Sequence, residues 1–224
     1  MPQQSKILQF VKMHRMELLM WVLIAEMLAS PCADTHPRAG VPLGLCVLAT
    51  VFYAARYMAT RAVIRRTVLS IACVWMVARI LEAFGDRHDL YAHLSPVVGL
   101  GFSLSVLWAI FEHFRARSTD LRSAVAEAFI GYLVIATGFS QLYWILNRFM
   151  EHPFNQVIAT WQSGELLYFS MVTLTSVGYG GIVPLNPYVR IVAALESMSG
   201  IFFVAVVVAR LVSSYRQDEF RENR

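Results

Sequence analysis

The chain has 224 residues, of which 57% are hydrophobic and only 15% charged, where a typical soluble domain carries about 25% charged residues. Apolar residues fill whole stretches such as 41–55 and 191–208 instead of recurring at amphipathic spacing. That composition argues against an ordinary soluble domain and for a membrane protein. The formal net charge of +4 is small and scattered, so neither a nucleic-acid partner nor a soluble substrate is expected, and the three cysteines (Cys32, Cys46, Cys73) form no CxxC and no even framework.

A spanning helix needs about 20 mostly apolar residues. Six stretches qualify, at roughly 16–32, 41–59, 67–84, 94–113, 124–147 and 188–213. The first carries Glu17 and Glu26 and ends at Ser30-Pro31-Cys32, a poor cleavage site, so it reads as a span and not as a secretory signal. Between the fifth and sixth lies a shorter apolar piece at about 164–175, too short to cross as a helix. Such a piece is a candidate re-entrant segment, tolerated at membrane depth where protein or water satisfies its backbone.

Basic residues set the orientation. With both termini cytoplasmic, the inner flanks hold fourteen Lys and Arg residues, from Lys6, Lys12 and Arg15 through Arg65 and Arg115 to Arg224. The outer flanks hold four (Arg38, Arg87, Arg148 and Arg190), a strong positive-inside bias. The expected architecture is an all-α, multi-pass cell-membrane protein surrounded by lipid, with the 148–187 loop on the outer face. Its expected parts are a cytoplasmic tail at 1–15, a four-helix unit at 16–114, a cytoplasmic linker at 115–123 and a loop-bearing unit at 124–214. A short cytoplasmic tail at 215–224 leaves no room for a cytosolic regulatory domain.

The segment Thr173-Leu174-Thr175-Ser176-Val177-Gly178-Tyr179-Gly180 resembles the TxTTVGYG selectivity-filter signature of the potassium channel family. Gly-Tyr-Gly alone is weak, since it occurs in many turns. Here it follows a Thr/Ser pair and a re-entrant-length helix, with a spanning helix on each side, which argues against a Gly-rich extracellular turn. The resemblance implies a homotetramer in which four chains each contribute consecutive carbonyls to replace the hydration shell of K⁺. The ligating positions would be Ser176, Val177, Gly178, Tyr179 and Gly180. K⁺ is the permeant ion and no cofactor is implied. Gly178 and Gly180 allow the alternating backbone at no Cβ cost, while Val177 and Tyr179 are expected to point away from the axis and pack behind the filter. Ser176 keeps the oxygen of the usual Thr and loses its methyl.

The flanking residues extend the likeness over about 124–214. Ser163 is a candidate N-cap of a pore helix at 163–175, with Glu165 suited to its first turn. The C-terminal, negative end of that helix would then face the pore. Thr173 and Thr175 support the filter. Tyr168 and Phe169 read either as aromatic packing behind it or as bilayer-interface residues. Gly200, in the inner helix at 188–213, is a gating hinge or a point of close helix packing; a helix-interior Gly costs about 1 kcal/mol against Ala and so has a reason.

Two departures from the family stand out. The Asp usual after the filter is Gly181, and its pore-helix Glu partner is Val172, so the carboxylate pair behind the filter is missing. The fourth span, 94–111 (LSPVVGLGFSLSVLWAIF), carries no charge, although a voltage sensor needs Arg or Lys at every third position. The four-helix unit is therefore sensor-shaped without gating charges, and voltage independence is expected. Charges inside spans are expensive. Arg79 and Glu82 share a helix face, Glu26 is a second candidate partner for Arg79, and Glu196 reads as a buried, hydrogen-bonded or protonated acid. Asp86, His88, Asp89 and His93 read as a solvated outer loop before a pH or metal site.

The function expected is passive, K⁺-selective conduction. The alternatives are a weakly selective cation channel and a non-conducting membrane regulatory subunit. A membrane enzyme has no footing, since neither GxSxG nor HExxH occurs and the spans hold no charge-rich constellation.

Overall fold

A computed structural model describes residues 15–35, 40–58, 62–84, 88–116, 121–158 and 163–222. These form seven helices: α1 (Arg15–Thr35), α2 (Gly40–Met58), α3 (Ala62–Phe84), α4 (His88–Ala116), α5 (Leu121–Phe149), α6 (Ser163–Leu174) and α7 (Pro187–Glu222). Each of the six expected spans and the short segment between the last two is a helix. Among the described residues, three stretches are long and apolar enough to cross a bilayer: 94–113 in α4, 124–149 in α5 and 187–210 in α7. Helix α6 has 12 residues; at 1.5 Å per residue that is about 18 Å, short of the roughly 30 Å hydrocarbon core.

The helix ends differ from expectation in places. Helix α1 continues past Pro31, and α4 begins at His88 with Pro96 inside it. Helix α7 runs on to Glu222, through the expected tail at 215–224. Its extension, YRQDEFRE, is rich in good helix formers and holds neither Gly nor Pro to stop it. Helices α4 and α5 run into the expected linker at 115–123 from both ends, to Ala116 and from Leu121; residues 1–14, 117–120 and the side chains of Asp86, His88, Asp89, His93 and Ser163 lie outside the described residues.

Sequential neighbours pack together along α1–α5, and α1 closes back on both α5 and α6. The four-helix unit thus sits against α5 and α6 of its own chain. One buried cluster joins Val47, Val68, Ala72, Trp75 and Met76 to Ala126, Ile130 and Val134, which recur every four residues and so form one face of α5. Trp75 stacks on Phe102 with ring centroids 5.3 Å apart. A second cluster gathers Tyr143 and Trp144 of α5, Phe154 and Ile158 of the loop, Leu166 and Phe169 of α6, and Ile182 and Val189. It fixes the segment that follows α6.

Charges inside the helices find partners. Arg79 pairs with Glu82 at 3.5 Å, one turn away, with Glu26 within its electrostatic reach. A second pair, His113 Nε2 to Glu127 Oε1 at 3.2 Å, is almost wholly buried between α4 and α5.

Candidate ion-conduction site

The site is built around the end of α6. The last four carbonyls of a helix have no intrahelical donor, and here each finds one. Met171 O accepts from the Thr175 amide (3.0 Å) and Thr175 Oγ1 (2.7 Å). Val172 O accepts from the Val177 amide at 3.0 Å, with the Gly178 amide at 3.4 Å. Thr173 O accepts from the Ser176 amide and from Ser197 Oγ of α7, both at 3.0 Å. Leu174 O accepts from the hydroxyl of Tyr132 in α5 at 3.1 Å. The chain leaving α6 is therefore folded back onto the helix it has left, and both flanking helices hold the helix end.

From that turn the backbone alternates. Ser176 (φ 58°), Gly178 (φ 61°) and Gly180 (φ 82°) are in the left-handed region; Val177 and Tyr179 between them are not. The two glycines take up this conformation freely, as expected. Ser176 does not, and holding a non-glycine residue there costs about 1–2 kcal/mol. The strained serine was invisible in the sequence, where only the glycines signal a left-handed backbone. Space is open where a Cβ would stand at Gly178, Gly180 and Gly181, so at the first two the backbone angle is the constraint, not crowding. The side chains of Val177 (53% exposed) and Tyr179 (75% exposed) are not covered by their own chain. The packing expected of these two side chains is thus not made within this chain.

Behind the segment, Phe169 is buried in an edge-to-face group with Tyr143 (4.8 Å) and Phe154 (5.2 Å), a favourable arrangement for aromatic quadrupoles. Tyr168, its neighbour, stays exposed. Beside this group Glu196, Ser170 and Tyr143 are all fully buried. Tyr143 donates to Glu196 Oε2 at 2.6 Å. Ser170 Oγ lies 2.5 Å from Glu196 Oε1 and 2.7 Å from the Ala136 carbonyl. A Cβ on Gly200, one turn further along α7, would collide with the Leu174 carbonyl oxygen. Of the two reasons for this glycine, close packing is the one seen.

The outer side of the segment is clamped as well. Asn155 Oδ1 accepts from the Val183 amide at 2.8 Å, and its Nδ2 donates to Gly181 O at 3.2 Å. Backbone bonds run from the Asn155 amide to Val183 O and from the Leu185 amide to Pro153 O, both at 2.9 Å. This clamp occupies the stretch where the family's post-filter Asp is missing. Asn186 then caps α7, its Oδ1 accepting from the Tyr188 amide at 3.0 Å, with Pro187 at the first helical position.

Residues 127–217 match a family model described as ion channel. Over this stretch the chain is similar to ion channels, and the relatives that follow are potassium channels. A voltage-gated potassium channel protein, shk-1, of Caenorhabditis elegans is 37% identical over 57 residues, 25% of this chain and 11% of that protein. Potassium channel K2 of Plasmodium falciparum is 21% identical over 133 residues, 56% of this chain and 9% of that protein. Matched regions thus cover about a tenth of either relative's length, and no solved structure matches. The family model runs from early α5 into α7 and takes in the whole site. The similarity is to an ion channel domain and not to an enzyme, and together with the apolar helices it supports a location in a membrane.

Proposed function

We propose that the chain is one subunit of a homotetrameric, K⁺-selective channel, with Thr173–Gly180 as one quarter of the filter. The observation that carries this reading is the alternation of left-handed backbone at Ser176, Gly178 and Gly180. It suits a strand whose successive carbonyls, those of Ser176, Val177, Gly178 and Tyr179, turn towards one axis to dehydrate K⁺. Tetramerisation follows, since a quarter of a ring coordinates nothing. The exposure of Val177 and Tyr179 supports it: their cover is the neighbouring subunit.

In this reading six helices cross the cell membrane with both termini cytoplasmic, and α6 is re-entrant. Its C-terminal end faces the pore, and α7 lines the cavity and the gate. Residues 16–114 form a unit that senses no voltage, because 94–111 carries no charge to move. Gly200 acts first as the seat of the pore helix, and a hinge there would have to break that contact.

The test is radioactive Rb⁺ uptake into proteoliposomes, with Na⁺ or K⁺ as competitor and Gly178→Asp as control. Uptake blocked by K⁺, spared by Na⁺ and abolished by the substitution is the expected result. Uptake competed equally by both ions would mark a weakly selective cation channel. Uptake absent from wild type under tension, lipid and pH changes would mark a non-conducting subunit.

A further inference from the structure

The contacts around Glu196 fix where a proton must be. Ser170 has one hydroxyl hydrogen, yet its Oγ lies within bonding distance of two oxygens, Ala136 O at 2.7 Å and Glu196 Oε1 at 2.5 Å. A carbonyl has no proton to give. If Glu196 were ionised, one of these two short oxygen–oxygen contacts would have no hydrogen in it. If Glu196 is a carboxylic acid, every contact has its own. Oε1–H donates to Ser170 Oγ, Ser170 donates to Ala136 O, and Tyr143 donates to Oε2. Ser170, Tyr143 and Glu196 are fully buried, and Tyr132 of α5 is the further group close enough to feel Glu196. None of the three groups facing it (Ser170 of α6, Tyr143 and Tyr132 of α5) carries a positive charge to offset a buried carboxylate, which is costly at membrane depth.

We propose that Glu196 is a protonated positioning residue, the hydrogen-bond donor through which the inner helix α7 holds the pore helix α6 against α5. It rests on the reading of 176–180 as the filter. The chain Tyr143–Glu196–Ser170–Ala136 starts on α5, crosses α7 and α6, and returns to α5. It takes over behind the pore helix the anchoring that the family's carboxylate pair, absent at Gly181 and Val172, would provide. Any displacement of α7 at the level of Glu196 pulls on Ser170, four residues before the last residue of α6. The filter thereby answers to the inner helix without an intervening element.

The test uses the full-length protein in proteoliposomes. Glutamine reproduces the proton pattern of the acid, its amide donating to Ser170 and its oxygen accepting from Tyr143. It does not reproduce a carboxylate that accepts from both. Glu196→Gln is therefore expected to restore Na⁺-resistant Rb⁺ uptake to within about twofold of wild type, where Glu196→Leu and Ser170→Ala lose most Na⁺ resistance. Infrared spectra at neutral pH are expected to show a protonated-carboxyl C=O stretch that Glu196→Gln removes. Gln failing as badly as Leu, or no such band in wild type, overturns the assignment. The infrared arm needs no conduction, so an absent proton and a mistaken filter give different results: the latter leaves the band and removes selective uptake from wild type.

Discussion

Replacing Gly200 by alanine separates the packing reason for this glycine from the hinge reason. The new methyl would meet the Leu174 carbonyl oxygen, a backbone atom already tied to the Tyr132 hydroxyl and unable to swing aside as a side chain would. Overpacking a tight contact costs about 1–3 kcal/mol; a collision with backbone belongs at the upper end. Against this, Ala gains about 1 kcal/mol over Gly in a helix interior. The net is about 2 kcal/mol per chain, which for a domain of this size lowers Tm by about 4–8 °C. The assay is thermal unfolding of the detergent-solubilised protein followed by circular dichroism, with Rb⁺ uptake in parallel. Both stability and uptake are expected to fall. A Tm equal to or above wild type, with only gating altered, would refute the close contact and favour a hinge.

Asn155→Asp removes the donor to Gly181 O and sets a carboxylate against that carbonyl; with a net worth of about 0.5–1.5 kcal/mol per bond, selectivity against Na⁺ should fall measurably while the fold survives. Asn186→Ala deletes the cap of α7 and should cost about 1 kcal/mol in chemical or thermal unfolding, whereas Asn186→Ser should cost little. His113→Phe leaves the buried Glu127 carboxylate without its partner, and its Oε2 already lacks a hydrogen bond. The loss should reach about 3–5 kcal/mol, whereas Glu127→Gln, which keeps a polar group opposite His113, should lose clearly less in the same melt. Steady-state open probability in bilayer recordings should be flat with voltage; a steep dependence would locate gating charge elsewhere than 94–111.

The helices and the Thr173–Gly180 segment were legible because their signals are local. Apolar runs of about 20 residues mark the long helices, and Gly178 and Gly180 mark the backbone that only glycine takes easily. What escaped the sequence lies in partnerships across distance. Tyr143 and Ser170 meet Glu196 over 53 and 26 residues, and Tyr132 reaches Leu174 over 42. A tyrosine or serine in an apolar helix carries no mark of what it faces. Asn186-Pro187 is a readable cap in retrospect, because Asn before Pro is a usual helix start. The His113–Glu127 pair was also readable in part, since acid and base within apolar helices demand each other. Helix α7 overran its expected end because the tail's charge suggested solvent while its residues favour helix.

The most direct measurement is the reversal potential of purified protein in a planar bilayer under a tenfold K⁺ gradient, with Na⁺ replacing K⁺ on the dilute side. Four copies of the Ser176–Gly180 backbone should set the zero-current voltage close to the K⁺ limit of about 59 mV. A reversal near zero would show that K⁺ and Na⁺ pass alike, and would contradict a selective filter at these residues.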